Sequence, residues 1–228
     1  MNPKQLAGEA AVKLIANDMI VGLGTGSTAD FFLIALADAV KSGRLRGIRG
    51  VPTSKRSEER AIELGIPLTK LVDAPHPDIT IDGADEVAPN VDVIKGLGGA
   101  LLREKVVAQN SKKFVIIADS TKTVNVLGTK GPLPVEVTIF GHEIQPAFLR
   151  SLGCDAQLRT QPDSSAPFLT DNGNYIYHCK FPKIDDPAGL DRALKSRAGV
   201  VETGLFLGIA SLALIATDHD VQQITGPA

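Results

Sequence analysis

The chain has 228 residues, 43% hydrophobic and 22% charged, enough to bury one large domain or a main domain carrying a smaller one, which argues against disorder. A formal charge of -2 leaves no electrostatic footprint for nucleic acid or an anionic membrane, so phosphate binding must come from a local pocket and the expected partner is small. The opening Met1-Asn2-Pro3-Lys4-Gln5 lacks the charged-then-apolar layout of a signal peptide, and no apolar run approaches the roughly 20 residues that span a bilayer, which predicts a cytoplasmic protein.

Apolar spacing predicts a helix over Gln5–Ala16, a strand at Met19–Leu23, a glycine turn, and a helix over Thr28–Val40 with apolar residues recurring at three and four. A strand at Ile48–Val51, a helix at Ser57–Leu64 and strands near Pro67–Leu71, Ile79–Ile81 and Val91–Ile94 follow. After a helix at Arg103–Asn110, the continuous apolar run Lys113–Ala118 predicts a strand buried on both faces. This half reads as an open, mostly parallel sheet with helices on both sides, a Rossmann-like α/β fold. From Pro132 the rhythm changes to a strand at Leu133–Ile139, a helix at Gly141–Ser151, a strand at Asp155–Arg159 and a strand pair over Pro167–Phe181 turning at Asp171-Asn172-Gly173-Asn174. A helix at Pro187–Ser196 and a strand at Val200–Thr203 complete the order β-α-β-β-α-β, predicting a small ferredoxin-like α+β domain. The expected division is 1–130 with 204–228 for the larger domain and 131–203 for the smaller, the tail from Leu205 to Ile224 returning to the main sheet.

Polar motifs fall at the predicted C-terminal ends of strands: Gly24-Thr25-Gly26-Ser27-Thr28, Pro52-Thr53-Ser54-Lys55, Asp82-Gly83-Ala84-Asp85-Glu86, Lys95-Gly96-Leu97-Gly98-Gly99 and Asp119-Ser120-Thr121-Lys122. In an open parallel sheet those ends share an edge, and the crevice outside it binds ligands. Gly24 to Ala29 fits the dinucleotide pattern GxGxxA, but the second strand ends in Thr53, Ser54 and Lys55 rather than an acid for ribose hydroxyls. Ser27 and Thr28 at a helix start suit a single phosphate instead, against the plainer reading of a capped tight turn.

Taken alone, Asp82, Asp85 and Glu86 read as solvated turn acids and Arg103-Glu104-Lys105 as an exposed helix face. Their common edge favours chemistry: a carboxylate to take a proton beside a carbonyl, with a cation and N–H groups to hold the oxyanion. Glu104 is the best general-base candidate and Lys95 the nearby cation. His76, His142, His178 and His219 form no triad or metal pattern and read as structural. Cys154 and Cys179, the only cysteines, read as free thiols, neither being near a Cys or His at metal-ligand spacing.

The motifs above from Gly24, Asp82 and Lys95, extended through Ala100-Leu101-Leu102-Arg103-Glu104-Lys105, together with Pro132-Leu133-Pro134-Val135-Glu136-Val137 and Thr170-Asp171-Asn172-Gly173-Asn174, resemble ribose-5-phosphate isomerase of type A over nearly the whole chain. That resemblance implies reversible conversion of ribose 5-phosphate and ribulose 5-phosphate through an enediolate, in the non-oxidative pentose phosphate pathway, without metal or cofactor. It implies Glu104 as proton acceptor and ligand contacts from Thr25, Gly26, Ser27, Thr28, Asp82, Gly83, Ala84, Asp85, Lys95, Gly96, Leu97, Gly98 and Lys122. Lys95 and backbone N–H groups are assigned to the oxyanion, Ser27 and Thr28 to phosphate, Asp82 or Asp85 to hydroxyls and ring opening. It also implies a homodimer or homotetramer. Leu97, where the family usually has glycine, and Thr203, where it commonly has histidine, depart from the pattern. The competing readings are a sugar-phosphate sensor, another aldose phosphate isomerase or amino-sugar-phosphate deaminase, and a nicotinamide dehydrogenase.

Overall fold

Period-two alternation along the most apolar run sets the architecture. In Phe114–Asp119 all residues are buried, but Val115 and Ile117 join one core while Phe114, Ile116 and Ala118 join another, as successive side chains on a strand must. The computed structural model describes residues 2–226; residue 1 and residues 227–228, at the two ends of the expected larger domain, lie outside the described residues.

The chain first forms α1 (Pro3–Val12), β1 (Ile20–Leu23), α2 (Ser27–Lys41), β2 (Arg49–Pro52), α3 (Lys55–Leu64) and β3 (Ile79–Gly83). Next come β4 (Glu86–Val87), β5 (Val93–Ile94), α4 (Leu101–Asn110), β6 (Phe114–Asp119) and a 3₁₀ turn at Ser120–Lys122. A second unit contains β7 (Leu133–Val137), α5 (Gln145–Ser151), β8 (Asp155–Leu158), β9 (Tyr175–Lys180), α6 (Pro187–Lys195) and β10 (Val200–Thr203). The chain ends with β11 (Leu205–Phe206), β12 (Leu212–Ala216) and β13 (Val221–Thr225).

The main sheet runs β13-β12-β6-β3-β1-β2. All its pairings are parallel except β12 with β13. Helices α1 and α2 pack Ala7, Ala11, Phe32 and Leu36 against Val21, Leu23, Ile81 and Ile117 on one face; Ala108 of α4 joins the core on the other. The second unit is a separate antiparallel sheet, β10-β7-β9-β8, whose strand and helix order is the expected β-α-β-β-α-β. Leu133, Val135, Leu149, Tyr177 and Leu194 build its core. A three-stranded sheet, β11-β5-β4, stitches the two units: Gly204 donates to the Pro134 carbonyl and accepts from the Lys95 amide at 2.8 and 2.9 Å.

Four expected elements differ most. The helix from Gln5 starts earlier, with Asn2 capping the Lys4 amide and Pro3 in the first turn, and ends at Val12 rather than Ala16. Pro67–Leu71 makes only the bridge Gly50–Leu68, since Lys70–Ala74 turns away from the edge. In Val91–Ile94 only Val93 and Ile94 are strand, Val91 having a left-handed φ of 63°. Of the pair over Pro167–Phe181, only Tyr175–Lys180 forms; Pro167 has no N–H for a ladder, and its arm reaches a single bridge, to Thr160.

Candidate active site

The first wall of the crevice is the loop after β1. Gly24 allows it to pass tightly over β3: a Cβ there would sit 2.5 Å from the Asp82 Cα. Asp82 Oδ1 accepts from the Thr25 amide at 2.9 Å and the Gly83 amide at 2.7 Å. The Thr25 hydroxyl is held by Thr53 at 2.9 Å and Ser54 at 2.7 Å, so the motif after β2 braces this loop. Helix α2 then starts at Ser27 with Gly26 at its cap and no side chain on its first-turn N–H groups, an anion-binding arrangement. Lys4, from α1, donates to Ser27 Oγ at 2.9 Å, and Lys122 lines the same cavity.

Lys4 is the residue that sequence reasoning misses. It carries no motif, and only the packing of α1 beside α2 delivers its ammonium to Ser27.

The floor is a cluster of buried charge. Asp82, Lys95 and Glu104 are 0%, 2% and 3% exposed. Lys95 Nζ lies 3.1 Å from Asp82 Oδ2 and 3.3 Å from Glu104 Oε2, and neither oxygen has a directed hydrogen bond among the described residues. Burial pushes Glu104 up to about 8, with the Lys95 charge opposing and the Asp82 charge adding to it. Burial likewise raises Asp82 against the pull of Lys95 and the Thr25 amide. For Lys95 burial acts downward, but Asp82 and Glu104 outweigh it and hold the ammonium above its ordinary value. The result is a base of near-neutral strength beside a persistent cation.

The second wall is the glycine loop between β5 and α4. Asp85 Oδ2 accepts from the Leu97 amide at 3.0 Å. Gly96 and Gly99 take left-handed φ values of 101° and 96°, whereas Leu97 does not, so the leucine fits this loop without backbone strain. Like α2, α4 begins without a side-chain cap, and Glu104 stands in its first turn.

Thr25, Gly26, Ser27, Thr28, Gly83, Ala84, Asp85, Lys95, Gly96, Gly98, Glu104 and Lys122 line one cavity of about 90 Å³. Larger clefts lie elsewhere, one of about 730 Å³ beside α4 between Leu68 and Val106, and that one does not gather these charged groups. Of the sequence-derived set, Asp82 and Leu97 do not line the cavity: Asp82 is sealed behind Lys95, and Leu97 contributes its amide to Asp85. The motif after β5 also arrives differently from expectation, by an antiparallel β4–β5 pairing rather than from the parallel sheet. Thr203, the other departure, is buried at the junction between units, donating to Asp191 at 2.5 Å. Both cysteines are free and buried.

Residues 49–220 match the family model for ribose 5-phosphate isomerase A (phosphoriboisomerase A). A ribose-5-phosphate isomerase A from Roseiflexus sp. (strain RS-1) is 47% identical over 225 residues, covering 99% of this chain and 96% of the relative. One from Gloeobacter violaceus is 48% identical over 226 residues, with the same coverage. Among solved structures, a D-ribose-5-phosphate isomerase in complex with phospho-erythronic acid superposes with a TM-score of 0.96 at 38% identity, covering 99% of this chain and 100% of the other. The ribose 5-phosphate isomerase of Plasmodium falciparum gives 0.94 at 38% identity, covering 99% and 98%.

Proposed function

Since the chain belongs to the ribose 5-phosphate isomerase A family, and so interconverts ribose 5-phosphate and ribulose 5-phosphate, we propose that this exchange takes place in the crevice described above, with Glu104 as proton carrier. The observation that carries the assignment is the Glu104 carboxylate itself: buried, incompletely hydrogen-bonded, beside a cation and opening on the cavity.

In this reading the phosphate rests on the open N-terminus of α2 with Ser27, Thr28, Lys4 and Lys122. The opened sugar extends along Gly83, Ala84 and Asp85 toward the glycine loop. Glu104 takes the proton from C2 of the aldose and returns it to C1. As the C2–H bond breaks, its electron pair forms the C1–C2 double bond of the enediolate and the C1 carbonyl pair moves onto O1; O1 then takes up a proton as the C2 hydroxyl gives one up, and the C2 carbonyl forms as C1 receives its proton. Lys95 and the amides of the glycine loop stabilise the negative charge that develops on the oxygen. Asp85, on the cavity wall, faces the hydroxyls and the ring-opening step. Asp82 has no surface on the cavity, so its position supports orientation of Lys95 and Thr25. The scheme uses neither metal nor cofactor. A solved relative that holds phospho-erythronic acid supports a phosphorylated sugar ligand here.

The deciding experiment measures ribulose 5-phosphate formation from ribose 5-phosphate with a chelator present, for the native chain and Glu104→Gln. Turnover that survives chelation and collapses in the variant is expected; retained isomerisation in Glu104→Gln removes the base. Ser27→Ala should chiefly raise KM.

The same proposal places the domain boundaries at 131 and 203, the protein in the cytoplasm, and the active form as a homodimer or homotetramer. No helix of the described residues is long and apolar enough to cross a membrane. Exposed Ile139, Phe140 and Ile144 at one end of the small sheet support self-association, which light scattering on the purified protein tests.

A further inference from the structure

The small domain touches the glycine loop through Arg159, just after β8. Its guanidinium lies over the Phe168 ring, 3.7 Å from the centroid. Both groups press on Gly99: a Cβ there would stand 2.6 Å from the Phe168 ring and 3.0 Å from Arg159 Nη1. The backbone fixes the pair, with the Arg159 amide donating to the Ile176 carbonyl at 2.8 Å and the Phe168 amide to the Arg159 carbonyl at 2.9 Å.

Arg159 Nη1 is buried and has no hydrogen-bond partner among the described residues. A buried donor held without an acceptor calls for an explanation other than packing, since methionine or leucine would cover Phe168 as well. Asp85 acts on Arg159 by charge at a distance, without an ion pair, and it accepts from the Leu97 amide at the start of the same loop. For His178, on β9, burial first and the Arg159 charge second disfavour the charged form, so it adds no competing cation. On the catalytic side, Lys95 and Glu104 also feel Asp85.

We propose that Arg159 is a positioning residue of the isomerase site, supplied by the small domain, which packs with Phe168 against Gly99 and so holds the glycine loop, with the Leu97 amide that Asp85 accepts, in the geometry that receives the reacting carbons. It rests on the assignment of Glu104 as base. The guanidinium acts on the sugar only through the glycine loop and its charge, so its loss registers in turnover and pH dependence more than in phosphate-driven binding.

The test compares the native enzyme, Glu104→Gln, Arg159→Met, Arg159→Lys and Arg159→Ala by kcat, KM, the pH profile of kcat/KM and thermal unfolding. In Arg159→Met, which keeps apolar cover on Phe168, kcat should fall about 10- to 100-fold with a smaller change in KM, as for a slight misplacement of reacting groups. Its acid limb should move to higher pH, because removing a positive charge lets the nearby carboxylates hold protons more tightly. Arg159→Lys should recover only part of the rate, lacking the planar fork, and guanidinium ion added to Arg159→Ala should restore part of what is lost. Native kcat and pH profile in a folded Arg159→Met, with Glu104→Gln inactive, would overturn the role of Arg159 and leave the base intact. Native rate in Glu104→Gln would overturn the base assignment, and with it the route from Arg159 to proton transfer. Should Arg159→Met not fold, Arg159→Ala decides: rescue by guanidinium supports the role, and native kcat without it refutes the role.

Discussion

Two glutamates are buried near the crevice, Glu86 after β3 and Glu104 in α4, and their surroundings treat the same carboxylate in opposite ways. Glu86 receives three backbone N–H groups, from Gly128 at 2.6 Å, Lys130 at 2.7 Å and Gly131 at 2.8 Å. It fastens the segment by which the chain leaves for the small domain. Glu104 receives a cation at 3.3 Å and keeps one oxygen without a directed hydrogen bond. A carboxylate with its lone pairs occupied is a fastener, whereas one left short of donors has capacity for a proton from elsewhere. Burial is common to both, so the tally of donors separates scaffold from chemistry.

The sharpest way to break that contrast is to remove each charge in turn. Glu104→Gln should lower kcat by about 10³- to 10⁴-fold, the upper range for a positioned acid–base group, without lowering the unfolding midpoint. Lys95→Met should cost both activity and about 3–5 kcal/mol of stability, because it leaves Asp82 and Glu104 facing each other unpaired. That deficit should grow from pH 6 to pH 9 in urea unfolding, because without the cation the buried carboxylates keep protons that the unfolded chain has released. Glu86→Gln should cost about 3 kcal/mol by turning an amide donor toward backbone donors, with kcat in the folded fraction changed little. A Glu86→Gln enzyme that is stable but inactive would dissolve the contrast.

Acidity sharpens it further. Glu104 is pushed up to about 8 from an ordinary 4.5, and in the proposed mechanism its working form is the carboxylate, so kcat/KM should rise with pH and level off above about pH 8. The fold favours the protonated form, so the Glu104 contribution to stability is full below pH 4.5 and is lost as pH rises through about 8. Glu104→Gln should therefore gain stability relative to the native chain between those values, most clearly in unfolding curves near pH 8. The smallest effect expected is on Lys4→Met, which should raise KM for the phosphorylated sugar about tenfold or less, with kcat nearly unchanged.

The parallel sheet was legible because its strands are short apolar runs bounded by glycine and polar turns, and the Gly24 and Lys95 motifs announced loops of close approach. What stayed hidden depended on partners far along the chain. Arg103-Glu104-Lys105 reads locally as a solvated helix face, yet α4 lies between the main sheet and the small domain, and both Glu104 and Lys105 are buried. Lys105 donates to Glu202 at 2.6 Å and to the Thr203 carbonyl at 2.8 Å, partners no local pattern can supply. Asp171 and Asn172 read as a hairpin turn. In the fold Asp171 caps the Lys55 amide at 2.7 Å and Asn172 accepts from Arg103 at 3.0 Å, so the turn docks on α3 and α4. Glu86 reads as a turn acid because its three donors come from a segment beyond β6.

The adjacency of Glu104 and Lys105 constrains how this enzyme can vary. One residue serves the crevice and the next is tied to the strand returning from the small domain, so the helix is fixed in rotation. Adding or deleting a single residue between Gly96 and Lys105 would turn a lysine or an arginine toward the place of the acid and strand the tie. Outside Gly96, Gly99, Glu104 and Lys105, the stretch should therefore tolerate side-chain exchange far better than any change of length, while the exposed loop at 161–166 should accept insertions and deletions.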